Sequence, residues 1–244
     1  MKQHEAVMKV MMENGGFATL GFLNQNVLKI EDCEWKTKTP FASIRRIVQD
    51  ERFFFKIRPG LWALKSHRNK LPEELLPTSA QAKAKREEYS HTYYQGLVAE
   101  LGNFKKYKTF VPNQDKNKLY LGKRLCEVTA LPDMLKFGYE HIIAVAKTID
   151  VTWFNERQMP ANLFEIEHST PINNSLLKFV ELQDFHANFY IVADNARRTE
   201  FQKKLSQAAF SPINKRVGFW SYDDVVNFHS RTSEYIALES RLDL

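Results

Sequence analysis

The sequence predicts an α+β protein in two parts, an N-terminal module of three helices and a β-hairpin followed by a mixed α/β domain. Two patterns predict this fold class. Helical spacing gives way to short aromatic runs within the first seventy residues, and from residue 90 onward helices alternate with strands. A chain of 244 residues can hold two domains, because domains usually have about 100–150 residues. We expect domains at 1–70 and 90–244, joined by a linker at 71–89.

The N-terminal module begins with a helix predicted from apolar residues at helical spacing in 4–13, with Gly15 and Gly16 at its end. Mixed helical spacing in 17–30 predicts a second helix. Pro40 opens a third helix, because proline suits the first helical turn and Thr39 can cap it. The runs RFFFKI and LWALKS, joined by a Pro-Gly turn, predict a β-hairpin.

Three helices and a hairpin in this order are typical of a winged helix, whose third helix enters the DNA major groove. Ten Lys and Arg residues stand against two acidic residues in 36–70, so this segment carries a net charge of +8 in a chain of +6. A concentrated positive face indicates a polyanion-binding module, although any single arginine pair can serve solubility alone. The residues predicted to contact DNA are Lys36, Lys38, Thr39, Arg45, Arg46, Lys56 and Arg58. Ile44, Ile47 and Val48 are expected to pack inward from the third helix.

The run KTKTPFASIRRIVQDERFFFKIRPGLWALKS resembles the HARE-HTH domain, a winged helix of chromatin proteins and restriction endonucleases. The similarity lies in the Thr-Pro that opens the third helix, the aromatic cluster at 53–55 and the hairpin PGLWAL. It covers roughly the first seventy residues. The resemblance implies DNA binding and leaves open whether a modified base is recognised.

The C-terminal part is predicted from alternating segments. HTYYQGLVAELGNF has the spacing of an amphipathic helix, and YKTFVP, TIDVTWF, ANLFEIEHST, NFYIVAD and VGFWSY have the composition of strands. Helices are predicted for SLLKFVELQDF, for RRTEFQKKLSQ and for the region after Asp223. This succession predicts a mixed sheet flanked by helices.

Three carboxylates are expected to converge on a hairpin of this domain. Asp150 stands 15 residues before Glu165 on neighbouring strands, and alternation places Glu165 and Glu167 on one face with Phe164 and Ile166 on the other. Carboxylates so close raise one another's pKa unless a cation compensates. A hard divalent cation such as Mg²⁺ relieves this cost and activates water for attack on a phosphodiester. The alternative for Glu-x-Glu alone is a solvated strand edge.

These features resemble the PD-(D/E)XK restriction-endonuclease-like core over residues 90–222. The resemblance implies that Asp150, Glu165 and the Ile166 carbonyl hold Mg²⁺ or Mn²⁺. The family usually has lysine where Glu167 stands, so Glu167 is either a base or a second-metal ligand, or Lys178 on the next helix has taken over the lysine's role. Glu100 is a further candidate for a metal contact.

We therefore expect a metal-dependent endonuclease that cleaves double-stranded DNA as a homodimer, because cutting both strands requires two active sites. The alternative is a DNA-binding regulator or modified-base sensor with an inactive nuclease fold, and RNA is a weaker candidate substrate. The sequence lacks a Walker loop and Gly-x-Gly-x-x-Gly, so no nucleotide cofactor is expected. It also lacks an apolar stretch of membrane-spanning length, so no membrane partner and a cytoplasmic location are expected.

Overall fold

The structure is a computed structural model that describes residues 1–73, 75–76 and 82–240. The chain divides into two compact units. The first consists of the described parts of Met1–Ala82 and Val226–Leu244, and the second is Lys83–Val225. Of the predicted linker 71–89, residues 74 and 77–81 lie outside the described residues, and the part from 82 onward is helical.

The N-terminal part of the first unit consists of α1 (Gln3–Glu13), β1 (Phe17–Thr19), α2 (Leu20–Asn26), α3 (Pro40–Ile47), β2 (Phe54–Arg58) and β3 (Leu61–Leu64). The three strands form an antiparallel sheet of order β1-β3-β2. Short 3₁₀ turns at Val27–Lys29 and Lys65–Lys70 follow α2 and β3. The unit also includes the last helix of the described residues from Val226 onward.

Two details of this unit differ from the sequence prediction. The predicted second helix is divided, because Phe17–Thr19 pairs with β3 as a strand and the Thr19 hydroxyl then caps α2 by accepting a hydrogen bond from the Phe22 amide. Thr39 precedes α3 as predicted but makes no capping hydrogen bond with its side chain. Its amide instead donates to the Thr37 hydroxyl.

The core of the first unit is formed by the inward faces of its helices and strands. Ile44 and Val48 are fully buried, whereas Ile47 is half-buried. The predicted helix end at Gly15 and Gly16 is confirmed: both have a left-handed φ, of 80° and 91°, and the Gly16 amide donates to the Met11 carbonyl.

The second unit is built around a mixed sheet. Its elements are α4 (Ala82–Phe104), β4 (Lys108–Phe110), β5 (Leu119–Tyr120), β6 (Lys123–Arg124), α5 (Leu125–Val128), α6 (Glu140–Ala146), β7 (Val151–Phe154), β8 (Pro160–Glu167), α7 (Ile172–Glu181), β9 (Asn188–Ala193), α8 (Arg198–Leu205), β10 (Val217–Ser221) and the start of α9 (Tyr222–Glu239), which continues into the first unit from Val226. The sheet has five strands in the order β10-β9-β8-β7-β4. β8 pairs in parallel with β9 and in antiparallel fashion with β7, and β9 pairs in parallel with β10.

The predicted mixed sheet with helices is confirmed, and so is an α+β fold. β8 is the central strand, and six of its eight residues, 162–167, pair with β9. Phe164 packs on this sheet against Trp153, Tyr190 and Trp220. The sequence prediction missed β5, β6, α5 and α6, which lie in a stretch with few periodic signals. Among the described residues, no helix combines the length and apolar character needed to cross a bilayer.

Candidate active site

The candidate site lies at the C-terminal end of β8, where two glutamates are buried. Glu165 and Glu167 are only 3% and 5% exposed, so a solvated strand edge is excluded. The Ser175 hydroxyl on α7 lies 3.0 Å from Glu165 Oε2 and also contacts Glu167 Oε1. One hydroxyl thus contacts both carboxylates, as expected for side chains two residues apart on a strand.

Lys178 extends from α7 to the same carboxylates. Its Nζ donates to both Glu165 oxygens, at 2.8 and 3.0 Å, and to the Thr148 carbonyl at 3.1 Å. Lys178 lies one helical turn beyond Ser175, so both side chains project from one face of α7. The helix thereby supplies a lysine to a strand whose own sequence has glutamate at position 167.

Asp150 directly precedes β7 and approaches β8 from the side. Its Oδ2 accepts a hydrogen bond of 2.7 Å from the Ile166 amide, the residue between the two glutamates. Its Oδ1 lies 3.5 Å from Nε2 of His91 on α4. Asp150 therefore links the end of β8 to the helix that opens this unit.

A second aspartate, Asp115, lies close to His91 and Asp150. One ligand atom from each of these three residues lies within 4.8 Å of those of the other two. The Gln95 amide nitrogen donates to Asp115 Oδ2 at 3.0 Å and to the Asp150 carbonyl at 2.8 Å. Lys118 Nζ lies 2.8 Å from Asp115 Oδ1.

The electrostatics of the site are those of crowded buried acids. Burial raises the pKa of Glu165 to about 8, the charge of Asp150 adds to the rise, and Lys178 opposes it. Burial also raises the pKa of Glu167, although hydrogen bonds from Ser175 and Thr170 work against the rise. Burial lowers the pKa of Lys178, but the charge of Glu165, the hydrogen bond to it and the charges of Asp150 and Glu167 together outweigh burial, so the net shift is upward.

The pKa of His91 is shifted by the same group of buried charges. Burial lowers the pKa of its imidazole, but the charge of Asp150 and the contact with its carboxylate outweigh burial, so the net shift is upward. Carboxylate oxygens that carry excess negative charge and are held by short contacts are the donors that Mg²⁺ and Mn²⁺ prefer. The residues present therefore fit a divalent cation.

The loop that follows β8 is held by an arginine and a tyrosine. Arg197 donates to the carbonyls of His168 and Thr170, at 3.0 and 2.8 Å, and pairs with Glu200. The Tyr222 hydroxyl lies 2.6 Å from His168 Nδ1 and donates to the Glu167 carbonyl at 3.2 Å. These contacts hold the backbone from Glu167 to Thr170.

The structure thus brings together four of the residues singled out in the sequence, Asp150, Glu165, Glu167 and Lys178, with Ile166 between the glutamates. Glu100 accepts a hydrogen bond from the Tyr120 hydroxyl.

Sequence reasoning missed His91, Gln95 and Asp115. His91 continues the apolar stripe of α4 by helical spacing, and a polar residue on a buried stripe is the signal that points to it. Asp115 lies between strands, where no periodicity marks it.

The predicted DNA-contacting residues fall into two groups. Lys36, Lys38, Thr39, Arg46 and Lys56 are exposed, and Arg58 is half-buried. Arg45 differs, because its side chain is 34% exposed and its guanidinium lies 2.5 Å from Glu234 Oε1 within the same unit. Arg231 approaches the other Glu234 oxygen at 2.9 Å.

Comparison with known proteins gives one family. Residues 70–238 match the family described as the type II restriction enzyme NmeDI C-terminal domain. The type II restriction enzyme NmeDI of Neisseria meningitidis serogroup C is 24% identical to this chain over 151 residues, which are 57% of this chain and 42% of that protein. The chain therefore spans less than half the length of this curated relative. No solved structure matches it significantly. The match extends over more than half of the chain, from before α4 into α9, and the chain belongs to the family of the type II restriction enzyme NmeDI C-terminal domain.

Proposed function

We propose that this chain is a Mg²⁺- or Mn²⁺-dependent endonuclease that hydrolyses phosphodiester bonds in double-stranded DNA. The observation that carries the proposal is the meeting of Asp150, Glu165, Glu167 and Lys178 at the end of one strand. Membership of a restriction-enzyme family supports the same reaction class.

The carboxylates have the arrangement needed to hold a cation. In the proposal, Asp150, Glu165 and the Ile166 carbonyl are the metal ligands. A bound divalent cation polarises a phosphate oxygen and lowers the pKa of a coordinated water. Ser175 and the Ile166 amide fix the orientations of Glu165, Glu167 and Asp150, so their oxygens are preorganised.

Lys178 and Glu167 share the remaining work in this proposal. The Lys178 ammonium is positioned beside Glu165 to stabilise negative charge that develops on the phosphate. Burial raises the pKa of Glu167 above its ordinary value, which makes it a stronger base. It is positioned to accept a proton from water or to hold a second cation. These proposed roles of the carboxylates and of Lys178 are the reason for proposing that the second unit is a PD-(D/E)XK-like core.

The N-terminal unit supplies DNA binding in the proposal. It has three helices, a hairpin and exposed basic residues on α3 and β2, which fit a winged helix of the HARE-HTH type. Exposed lysines and arginines contact phosphates and set the register on the duplex. Two chains acting as a homodimer supply the two active sites that a double-strand break requires.

The test is cleavage of duplex DNA by the wild-type chain and by Asp150→Ala and Glu165→Ala. We expect Mg²⁺-dependent cutting by the wild type and loss of cutting in both variants, with duplex affinity retained. Glu181→Ala, a substitution on α7 three residues beyond Lys178, is the matched control and should cut normally. Duplex binding without any cleavage in the wild type would favour the rival function of a DNA-binding regulator or modified-base sensor.

Substrate choice is tested in the same assay. Unmodified, methylated and hydroxymethylated plasmids are digested side by side, with an RNA duplex as a further substrate. Cutting of only the modified plasmids would place the enzyme among modification-dependent nucleases. Equal cutting of all the plasmids would eliminate that idea.

A further inference from the structure

We propose that His91, Asp115 and Asp150 form a second cation position, and that this position takes Mn²⁺ or another first-row transition cation in preference to Mg²⁺. It shares Asp150 with the ligand set expected from the sequence and adds His91 and Asp115, which that set does not contain. The inference rests on the proposed function only in sharing Asp150 with the proposed catalytic cation.

The three side chains come from three parts of the second unit and converge on one point. His91 is on α4, Asp115 lies between β4 and β5, and Asp150 precedes β7. Their ligand atoms lie within 4.8 Å of one another, and His91 Nε2 is 3.5 Å from Asp150 Oδ1. Two ligands that are each about 2 Å from one ion are at most about 4 Å apart. Small side-chain movements of less than about 1 Å would therefore let one cation reach all three.

Gln95 gives an independent indication that polar groups are directed into this cluster. Its side chain is fully buried one turn beyond His91, and its amide nitrogen is held by Asp115 and the Asp150 carbonyl. Its Oε1 is buried and has no hydrogen-bond partner among the described residues. A buried amide oxygen without a partner costs free energy, about 1–3 kcal/mol by mutational data, unless an ion or water satisfies it.

The charge balance also calls for a cation. Asp115, Asp150, Glu165 and Glu167 are four carboxylates, and Lys118 and Lys178 are the two ammonium groups paired with them. At the cluster itself, Lys118 is paired with Asp115, and the charge of Asp150 is left to attract a cation beside His91. Asp115 is already bound by Lys118 and Gln95, but each carboxylate oxygen has two lone pairs and can accept a further ligand.

The imidazole decides which cation is preferred. Mg²⁺ takes oxygen ligands in near-ideal octahedral geometry and gains little from nitrogen. Imidazole suits transition metals, whose affinities for such sites rise from Mn²⁺ towards Cu²⁺. A site with one nitrogen and two carboxylates should therefore discriminate against Mg²⁺.

The experiment measures binding of Mn²⁺ alone to the full chain by electron paramagnetic resonance, with pulsed detection of ¹⁴N coupling to the bound ion. We expect ¹⁴N coupling in the wild type and its loss in His91→Ala, with Mn²⁺ affinity reduced by about tenfold or more. Mg²⁺ affinity, measured by competition at the Glu165 site, should change much less. His141→Ala, which removes an exposed histidine of the same unit, is the matched control.

A second variant keeps the test decisive if His91→Ala fails to fold. Asp115→Asn should lower Mn²⁺ affinity yet retain the ¹⁴N coupling, because His91 remains. Absence of ¹⁴N coupling in the wild type, or unchanged Mn²⁺ affinity in both variants, would overturn the inference. Coupling in a wild type that does not cleave DNA would instead refute the proposed nuclease and leave the cation position intact.

Discussion

Lys178 Nζ lies 2.8 Å from Glu165 Oε2, so a lysine on helix α7 reaches the buried glutamate of strand β8. In the proposed PD-(D/E)XK-like core, Glu167 of strand β8 stands at the position where that family usually has lysine. The contact supports the proposal that Lys178 has taken over that lysine's role from the neighbouring helix.

Replacement of Lys178 tests this role directly. Lys178→Ala should reduce the cleavage rate by about 10²–10³-fold, because it removes a preorganised positive charge from a buried site. Single-turnover kinetics at saturating enzyme would measure the effect. Lys147→Ala, an exposed lysine just after α6, is the control and should leave the rate unchanged. A Lys178→Ala variant as fast as the wild type would leave Glu167 as the principal candidate for the base.

The raised pKa of Glu165 predicts that cation binding depends on pH. With a pKa of about 8, the carboxyl is largely protonated at neutral pH in the cation-free protein, and a cation must displace the proton. Mg²⁺ affinity should rise by about tenfold per pH unit below pH 8 and level off above it. Isothermal titration calorimetry in buffers of different ionisation enthalpy would count the released protons. Equal affinity at pH 6 and pH 8 would contradict the prediction, and Glu165→Gln should remove the pH dependence.

The raised pKa of Glu165 also predicts how the stability of the cation-free protein changes with pH. The pKa of Glu165 is about 8 in the folded protein and near 4.5 in the unfolded chain. The protonated carboxyl therefore stabilises the folded state fully below pH 4.5, and this stabilisation is lost as pH rises through about 8. The free energy of unfolding, measured with urea in the presence of a chelator, should therefore fall over this range. Added Mg²⁺ should reverse the loss at alkaline pH.

Arg45 and Arg46 are adjacent in sequence but are predicted to contribute differently to DNA binding. Arg46 is exposed, whereas Arg45 is paired with Glu234. Arg46→Ala should reduce the slope of log affinity against log salt by about one, the change expected for one lost phosphate contact. Arg45→Ala should change the slope much less, because its charge is already compensated. Fluorescence anisotropy with a labelled duplex at several salt concentrations would measure both slopes, and equal effects would refute the assignment.

Gly16 and Gly122 form a matched pair for a stability prediction. Both have positive φ, 91° and 83°, where a side chain costs roughly 1–2 kcal/mol. A Cβ at Gly16 would lie 2.5 Å from His67 Cβ, whereas a Cβ at Gly122 would meet nothing within 4 Å. Gly16→Ala should therefore lower the free energy of unfolding clearly more than Gly122→Ala in urea titrations. Equal losses would mean that the His67 loop moves aside at little cost.

Much of the fold could be predicted from local patterns. Period-two alternation placed Glu165 and Glu167 on one face of β8, and helical periodicity indicated α4, α7 and α8. The turn signals of Gly15 and Gly16 marked the end of α1. These features depend on interactions a few residues apart, which the sequence records directly.

The sequence by itself determined which residues carry the candidate chemistry on β8 and which helix supplies Lys178. Only the tertiary structure decided that His91, Gln95 and Asp115 join Asp150, because helix α4 and the loop after β4 approach β7 through contacts distant in sequence. It also decided that Arg45 is paired with Glu234, 189 positions away. Such pairings depend on packing and on the charge of distant partners, and no local periodicity encodes them.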